Sequence, residues 1–319
     1  MVNNGVFEAF GLRVKSDIFL PELINKTEDI SSFDINIKVD QSLKTFYIGN
    51  PYDFIAEANM VSFLIPDVGV FRIIDGKEIL VSPFENANED IVRLYLLGSC
   101  FGTLLLQRGT YILHGSAVVI DNKAYAIVGD SGAGKSTLAS AFMERGYSLL
   151  SDDVIALSFK KNEQNPQVIP SYPQQKLWQQ SLDKFGLNNT TFRPIYGRED
   201  KFCIPVMDQY CSEPMPLDGI FELVKMSSGP VTFRPLQGLE QLQKLFQHTY
   251  RQFLIPKLKL TEWHFRKSAS LASNLPLYQI SRPIEGFSAY QIVEEILETI
   301  NQKASLTLNN KMKKTAAIG

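Results

Sequence analysis

Cysteine is scarce in this chain. Cys100, Cys203 and Cys211 are three among 319 residues. They form no metal-ligand spacing, and any single pairing leaves a thiol over, so the pattern predicts reduced thiols in a cytoplasmic protein. An excess of one charge is also missing. The 32 Lys and Arg against 34 Asp and Glu give a formal charge of −2, which supplies no basic field for nucleic acid or for an anionic membrane surface. The most apolar stretch, LYLLGSCFGTLLL at 94–106, falls short of the ~20 residues that cross a bilayer. Its Gly98 and Gly102 suit close helix packing instead. The opening MVNNGVFEAFG has no positive segment followed by an apolar core, so no secretory signal is expected. Internal repeats and low-complexity segments are absent as well.

Residues 1–88 read as strands and turns. NMVSFLIP and GVFRIIDGKEILVSP are rich in β-branched and aromatic residues, and Asp75-Gly76 between two apolar runs predicts a hairpin. This β-rich region is expected to bind an acceptor, to form a homo-oligomer surface or to cap the core. A helix is predicted from Asn88 or Glu89 to Gly109, because Ile91, Leu94, Tyr95 and Leu97 share a broad apolar surface. YILHGSAVVI and AYAIVG flank the turn residues DNK, and a helix from Lys135 to Arg145 follows, stopped by Gly146. YSLL is expected to return as a neighbour of the AYAIV strand, with Asp152 and Asp153 at a kink before DVIALSF. Residues 160–215, rich in Pro, Gln and Asn, predict long loops around one helix in QKLWQQSLDKFG. Strands are expected at 218–225 and 277–282, and helices at 237–250 and 287–302. The main domain is placed at 89–302. The basic, unpatterned tail 303–319 is expected to be disordered.

The chemistry concentrates at 129–136, where Gly129-Asp130-Ser131-Gly132-Ala133-Gly134-Lys135-Ser136 matches G-x-x-x-x-G-K-[ST], with Thr137 next. An apolar strand before it and a helix-forming run after it are the context that motif requires. Glycines let successive N–H groups turn inward on phosphate oxygens, and the helix start adds its positive end. Lys135 offers a point charge to the outer phosphates, and the Ser136 hydroxyl suits Mg²⁺. The loop is therefore expected to bind ATP or a close analogue; NKAY at 122–125 lacks the aspartate of a guanine-reading N-K-x-D.

Asp152 and Asp153 follow Lys135 by seventeen and eighteen residues. One helix out and one strand back returns the chain to the phosphate rim, where one carboxylate can serve Mg²⁺ and the other accept a proton. His114, on the strand before the loop, is a third candidate, whereas His248 and His264 read as structural. Arg198 and Lys201 in RPIYGREDK could add positive charge near a phosphate or a peptide carboxylate. These residues lead first to a peptide-serine kinase and permit a small-metabolite kinase equally well. A nucleotide-driven switch without an acceptor is the remaining reading, and the water-positioning residue and arginine finger it would use have no signature here.

The run from LHGSAVVI through VGDSGAGKSTLASAFMERGYSLLSDDVIAL resembles the catalytic domain of HPr kinase/phosphorylase. The shared features are a His before the loop, G-D-S-G-x-G-K-S, a helix ending in R-G, and paired aspartates. The resemblance implies an α/β fold of the HPr kinase and phosphoenolpyruvate carboxykinase type with a mixed central sheet, and a serine kinase activity using ATP and Mg²⁺. It makes Asp152 the base that activates the serine, Asp153 and Ser136 the Mg²⁺ ligands, and His114, with Lys135, a neighbour of the reacting phosphates. Thr137 stands where that family usually has Glu, and no RGLGI-type signature follows; both points lead away from HPr as acceptor. AFGLRVKSDIFLPEL, YLLGSCFGTLLLQRGTYILHGSAV and PSYPQQKLW are more similar to the HPr-kinase-like enzymes found with lasso-peptide biosynthesis genes. That resemblance implies a ribosomally made precursor peptide as partner, phosphorylated on its C-terminal serine.

Overall fold

Alternating apolar residues set the first layer. In the computed structural model, which describes residues 5–26, 32–57, 59–160, 163, 165–195 and 198–316 (backbone alone at 198–199, 304 and 306–316), eight short strands form one mixed sheet. They are β1 (Gly5–Ala9), β2 (Leu12–Ser16), β3 (Ile24–Asn25), β4 (Ile35–Val39), β5 (Phe54–Glu57), β6 (Met60–Ile65), β7 (Gly69–Ile74) and β8 (Glu78–Pro83). Their order is β3-β1-β2-β4-β8-β7-β6-β5. Asp75 and Gly76, with φ of 56° and 62°, close the predicted β7–β8 hairpin.

The next segment fills the space behind this sheet. Asn88 Oδ1 accepts from Asp90 N at 2.8 Å and starts α1 (Glu89–Tyr95); a π-helical turn at Leu96–Cys100 leads into α2 (Phe101–Gln107). Val92, Leu96, Phe101 and Leu104 join Phe7, Ile37, Phe63 and Phe71 in one core, which also takes in Ile112, Val154 and Ala156 of the second sheet. Each large side chain buried there contributes about 1.5–3 kcal/mol.

The chain then builds β9 (Tyr111–Ile120), β10 (Lys123–Val128), α3 (Lys135–Glu144), β11 (Ser148–Ser158) and β12 (Gln167–Ile169). A separate three-stranded sheet follows, of β13 (Gln174–Trp178), β14 (Arg193–Ile195) and β15 (Arg198–Pro205), with α4 (Gln179–Lys184) after β13. Next come β16 (Met215–Met226), β17 (Thr232–Leu236), α5 (Gly238–Gln247), α6 (Leu254–Lys257), α7 (Thr261–Asn274), β18 (Leu277–Pro283) and α8 (Ala289–Ala316). The second sheet has the order β10-β9-β11-β12-β16-β18-β17, and β16 also pairs with β10, so five strands close into a ring. The sheet is mixed: β16 runs parallel to β10 and β18, while β9 is antiparallel to both of its neighbours. The protein is thus an α/β fold with mixed sheets. Among the described residues no helix is long and apolar enough to cross a membrane.

Three expectations need correction. β11 lies beside β9 and not beside the loop strand β10, because the tight β9–β10 hairpin occupies that position first. Residues 160–215 hold four short strands rather than loops alone; β12 and β14 are only three residues long and β13 pairs with β15 more than twenty residues on, so no sustained alternation marks them. The tail is helical as far as Ala316, since nothing between Ala289 and Ala316 is a Gly or Pro that would stop α8. In α8, Ile292, Val293 and Ile296 bury the predicted face against α3.

Candidate functional site

The glycine loop leaves β10 at Val128 and enters α3 at Lys135. Gly129 has φ of 148°, and a Cβ there would collide with the Leu223 carbonyl on β16; Gly134, at φ 103°, turns the chain into the helix. The Lys135 ammonium folds back over the loop and donates to the carbonyls of Gly129 (2.9 Å) and Asp130 (3.0 Å). Burial pulls its pKa down, against the charges of Asp152 and Asp153. Two contacts fix the loop from outside: Arg282 Nε donates to the Ala133 carbonyl at 2.9 Å, and Thr137 shares a 2.7 Å hydrogen bond with Ser181.

Small residues on β9 let the acids on β11 reach the loop across it. Asp152 stands opposite Ser116 and Asp153 opposite Gly115, where a Cβ would strike the Ile127 carbonyl. Asp152 is buried and fully engaged. Its Oδ1 accepts from Ser116 Oγ (2.6 Å) and Ser136 Oγ (2.9 Å), and its Oδ2 accepts from the Lys176 backbone N–H (2.9 Å).

Asp153 has the left-handed φ of 76°, costly for a residue with a side chain, and its carboxylate finds partners different from those of Asp152. Its Oδ2 pairs with Lys176 Nζ at 2.8 Å, and its Oδ1 lies 3.5 Å from His114 Nδ1. Burial pushes the Asp153 carboxyl up, but Lys176, with help from His114 and Lys201, overcomes it and holds the group well below the usual carboxylate range. The reverse holds for Lys176: burial opposes its charge, and Asp153 outweighs burial and raises its pKa. His114 is held down by burial, which exceeds the pull of Asp153.

One cleft of about 240 Å³ gathers His114, Lys135, Ser136, Thr137, Asp152, Asp153 and Lys201. Ser131, Gly132 and Gly134 line it too, while Gly129, Asp130 and Ala133 support it from behind. Lys201 Nζ sits 5.3 Å over the Trp178 ring. The Arg198 side chain lies outside the described residues. Arg193 belongs elsewhere, with Asp90 (3.2 Å) and Glu22 (3.4 Å). The far end of the cleft is apolar, walled by Ile284, Phe287, Ala289 and Ile292.

Sequence reasoning missed Lys176, Trp178 and Arg282. PSYPQQKLW contributes to the resemblance as a segment and singles out no functional residue, and a lysine on a strand gives no sign that it will meet two aspartates from twenty-odd residues away. His248 is structural as expected. Its carbonyl accepts from His114 N at 2.7 Å, and its Nε2 lies 2.8 Å from Glu222 Oε1. Burial raises Glu222, but His248, Gln279 and Lys244 prevail and bring it to about 2. His264 is buried against Tyr111, its ring stacked at 4.9 Å.

No family model matches the chain, and no curated protein matches it. Among solved structures, the Hpr(Ser) kinase/phosphatase from Coxiella burnetii is similar over 61% of this chain and 98% of that chain, with 19% identity and a TM-score of 0.32.

Proposed function

We propose that this protein is an ATP- and Mg²⁺-dependent kinase that phosphorylates a seryl hydroxyl of a peptide. The observation that carries the reading is the meeting of Ser136, which ends the glycine loop, with the buried carboxylate of Asp152 at 2.9 Å, beside Lys135 and the second acid. A loop that only stabilised the fold would need neither acid.

Mg²⁺ fits the donors present. Ser136 Oγ and the Asp152 carboxylate are hard oxygens, and among the described residues no three His, Cys, Asp or Glu side chains gather into a cage. Mg²⁺ usually takes one or two carboxylates and leaves its remaining positions to phosphate oxygens and water. When bound, it would neutralise charge on the outer phosphates. The apolar end of the cleft suits a nucleobase.

The resemblance in sequence gives the base role to Asp152, but the hydrogen bonds favour the opposite division. Asp152 already accepts from two hydroxyls and a backbone N–H, so it orients Ser136. Asp153 is ionised, part-exposed and faces the cleft beside His114. An acceptor hydroxyl there forms a bond to the γ-phosphorus as the bond from phosphorus to the β–γ bridging oxygen breaks. Its proton passes to Asp153, and ADP leaves. Lys135 stabilises the charge that develops on the phosphates.

The acceptor class, the C-terminal serine of a lasso-type precursor peptide, comes from the same sequence resemblance. Incubation with ATP, Mg²⁺ and serine-terminated peptides, read by mass spectrometry, should give a gain of one phosphate on the peptide. Partner-stimulated ATP hydrolysis without any phosphopeptide would replace this reading with that of a nucleotide switch.

A further inference from the structure

Distorted backbone gathers around Asp153. Asp153 itself has φ 76°, Arg251 has φ 51°, and the π-helical turn Leu96–Cys100 interrupts the helix facing them. Such distortions cost energy and cluster where a site needs a special geometry. Gly98, in the π turn, shows how close the three lie: a Cβ there would be 3.2 Å from Tyr250 Oη and 3.9 Å from Asp153 Oδ2. Gly102, one helical turn on, likewise leaves room for the Tyr250 ring.

Arg251 occupies the corner they form. Its guanidinium is half-buried, donates to Ser99 Oγ at 2.6 Å, and lies 5.4 Å from the Phe54 ring centre and 5.7 Å from that of Tyr250. Lys257 Nζ, nearby, donates to the Phe54 carbonyl at 2.7 Å. Neither cation forms an ion pair with a carboxylate among the described residues. This differs from Lys176, whose charge is matched by Asp153. A half-buried arginine held only by neutral groups keeps most of its attraction for an anion. Tyr250, whose ring centre is 5.6 Å from that of His114, joins this corner to the acid. Its hydroxyl is pushed up to about 12 by burial and by Asp153, against Arg251.

We propose that Arg251 holds a carboxylate of the acceptor while the acceptor's hydroxyl reaches Asp153. Asp153 and the Tyr250 hydroxyl both border Gly98, and Arg251 lies against the Tyr250 ring; that neighbourhood calls for a carboxylate on the residue that bears the hydroxyl, or next to it. This deepens the kinase reading and rests on it for the identity of the reacting acid. Arg251 is a specificity-determining residue here, and Tyr250 a positioning residue between the two charges.

The test is calorimetric titration of the full-length protein, with Mg²⁺ and a non-hydrolysable ATP analogue, against three peptides. One ends in serine as the free acid, one is its C-terminal amide, and one is the amide with aspartate before the serine. The free acid should bind wild type at least tenfold more tightly than the amide. That preference should vanish in Arg251→Gln and survive in part in Arg251→Lys. Rescue by the aspartyl amide would place the carboxylate on the neighbouring residue. Equal binding of all three peptides to wild type overturns the proposal without any variant, and so does a preference that persists in a folded Arg251→Gln. Phosphoryl transfer measured in parallel separates the two ideas: selective binding without transfer sinks the kinase reading alone, and transfer that ignores the carboxylate sinks this inference alone.

Discussion

Replacing Lys176 by methionine should damage both stability and the pH profile, in amounts that follow from one ion pair. Lys176 is almost fully buried, 2.8 Å from an Asp153 carboxylate that is itself only 23% exposed. Methionine keeps the length of the side chain and removes its charge, leaving the largely buried Asp153 with only the weaker influence of His114 and Lys201. Breaking a buried pair from one side costs about 3–5 kcal/mol. Asp153 has a depressed pKa, so its share of stability is present above the unfolded value of about 3.9 and is lost as pH falls below it. The gap between wild type and Lys176→Met should therefore be full at neutral pH and should narrow in acid. Without Lys176, burial acts on Asp153 with little opposition, and the acid limb of the rate profile should move upward from below pH ~4 toward neutrality. Urea denaturation followed by tryptophan fluorescence suits this site, because Trp178 is two residues away. The double variant Lys176→Met/Asp153→Asn removes the orphaned charge and should recover at least about 1 kcal/mol. A loss below about 1 kcal/mol in Lys176→Met, together with an unmoved acid limb, would refute the argument that this pair sets the state of Asp153.

Other outcomes follow from the same geometry. Asp153→Asn should abolish phosphoryl transfer while Mg²⁺–ATP still binds, whereas Asp152→Asn should weaken nucleotide binding in Mg²⁺ but hardly in EDTA; exchanged results would return the base role to Asp152. Gly129→Ala forces a side chain against the Leu223 carbonyl at a positive φ, and should lower both the melting temperature and ATP affinity. Glu222, depressed to about 2, contributes stability that is present above its unfolded pKa of about 4.3 and is lost as pH falls toward 2. Glu222→Gln should flatten that acid dependence in melts between pH 5 and 2.5.

What the sequence disclosed was local in character. The Gly129–Ser136 loop, the Asp75-Gly76 hairpin, the Asn88 cap and the helix after Lys135 each rest on residues within a few positions of one another, and the structure has all four. The kink at the acid pair is also present, as a register shift in β11 and the left-handed φ of Asp153. Contacts between distant segments stayed hidden. Lys176 meets the acids through β13, and Arg251 approaches from the end of a helix region about a hundred residues beyond them; neither carries a local pattern. Helix α7 escaped because His264 and Ser268 occupy buried positions where a periodic reading expects apolar residues. The π turn within LYLLGSCFGTLLL has no signature at all, since the run reads as one apolar helix.

The ring of strands closed by β16 divides the labour of the molecule. The glycine loop and both aspartates are mounted on its wall, where each strand is braced on two sides and none can splay without opening the whole circuit. Lys176, Trp178 and Lys201 stand outside it, on the separate sheet of β13, β14 and β15. Changes confined to that small sheet therefore break no strand pairing of the ring.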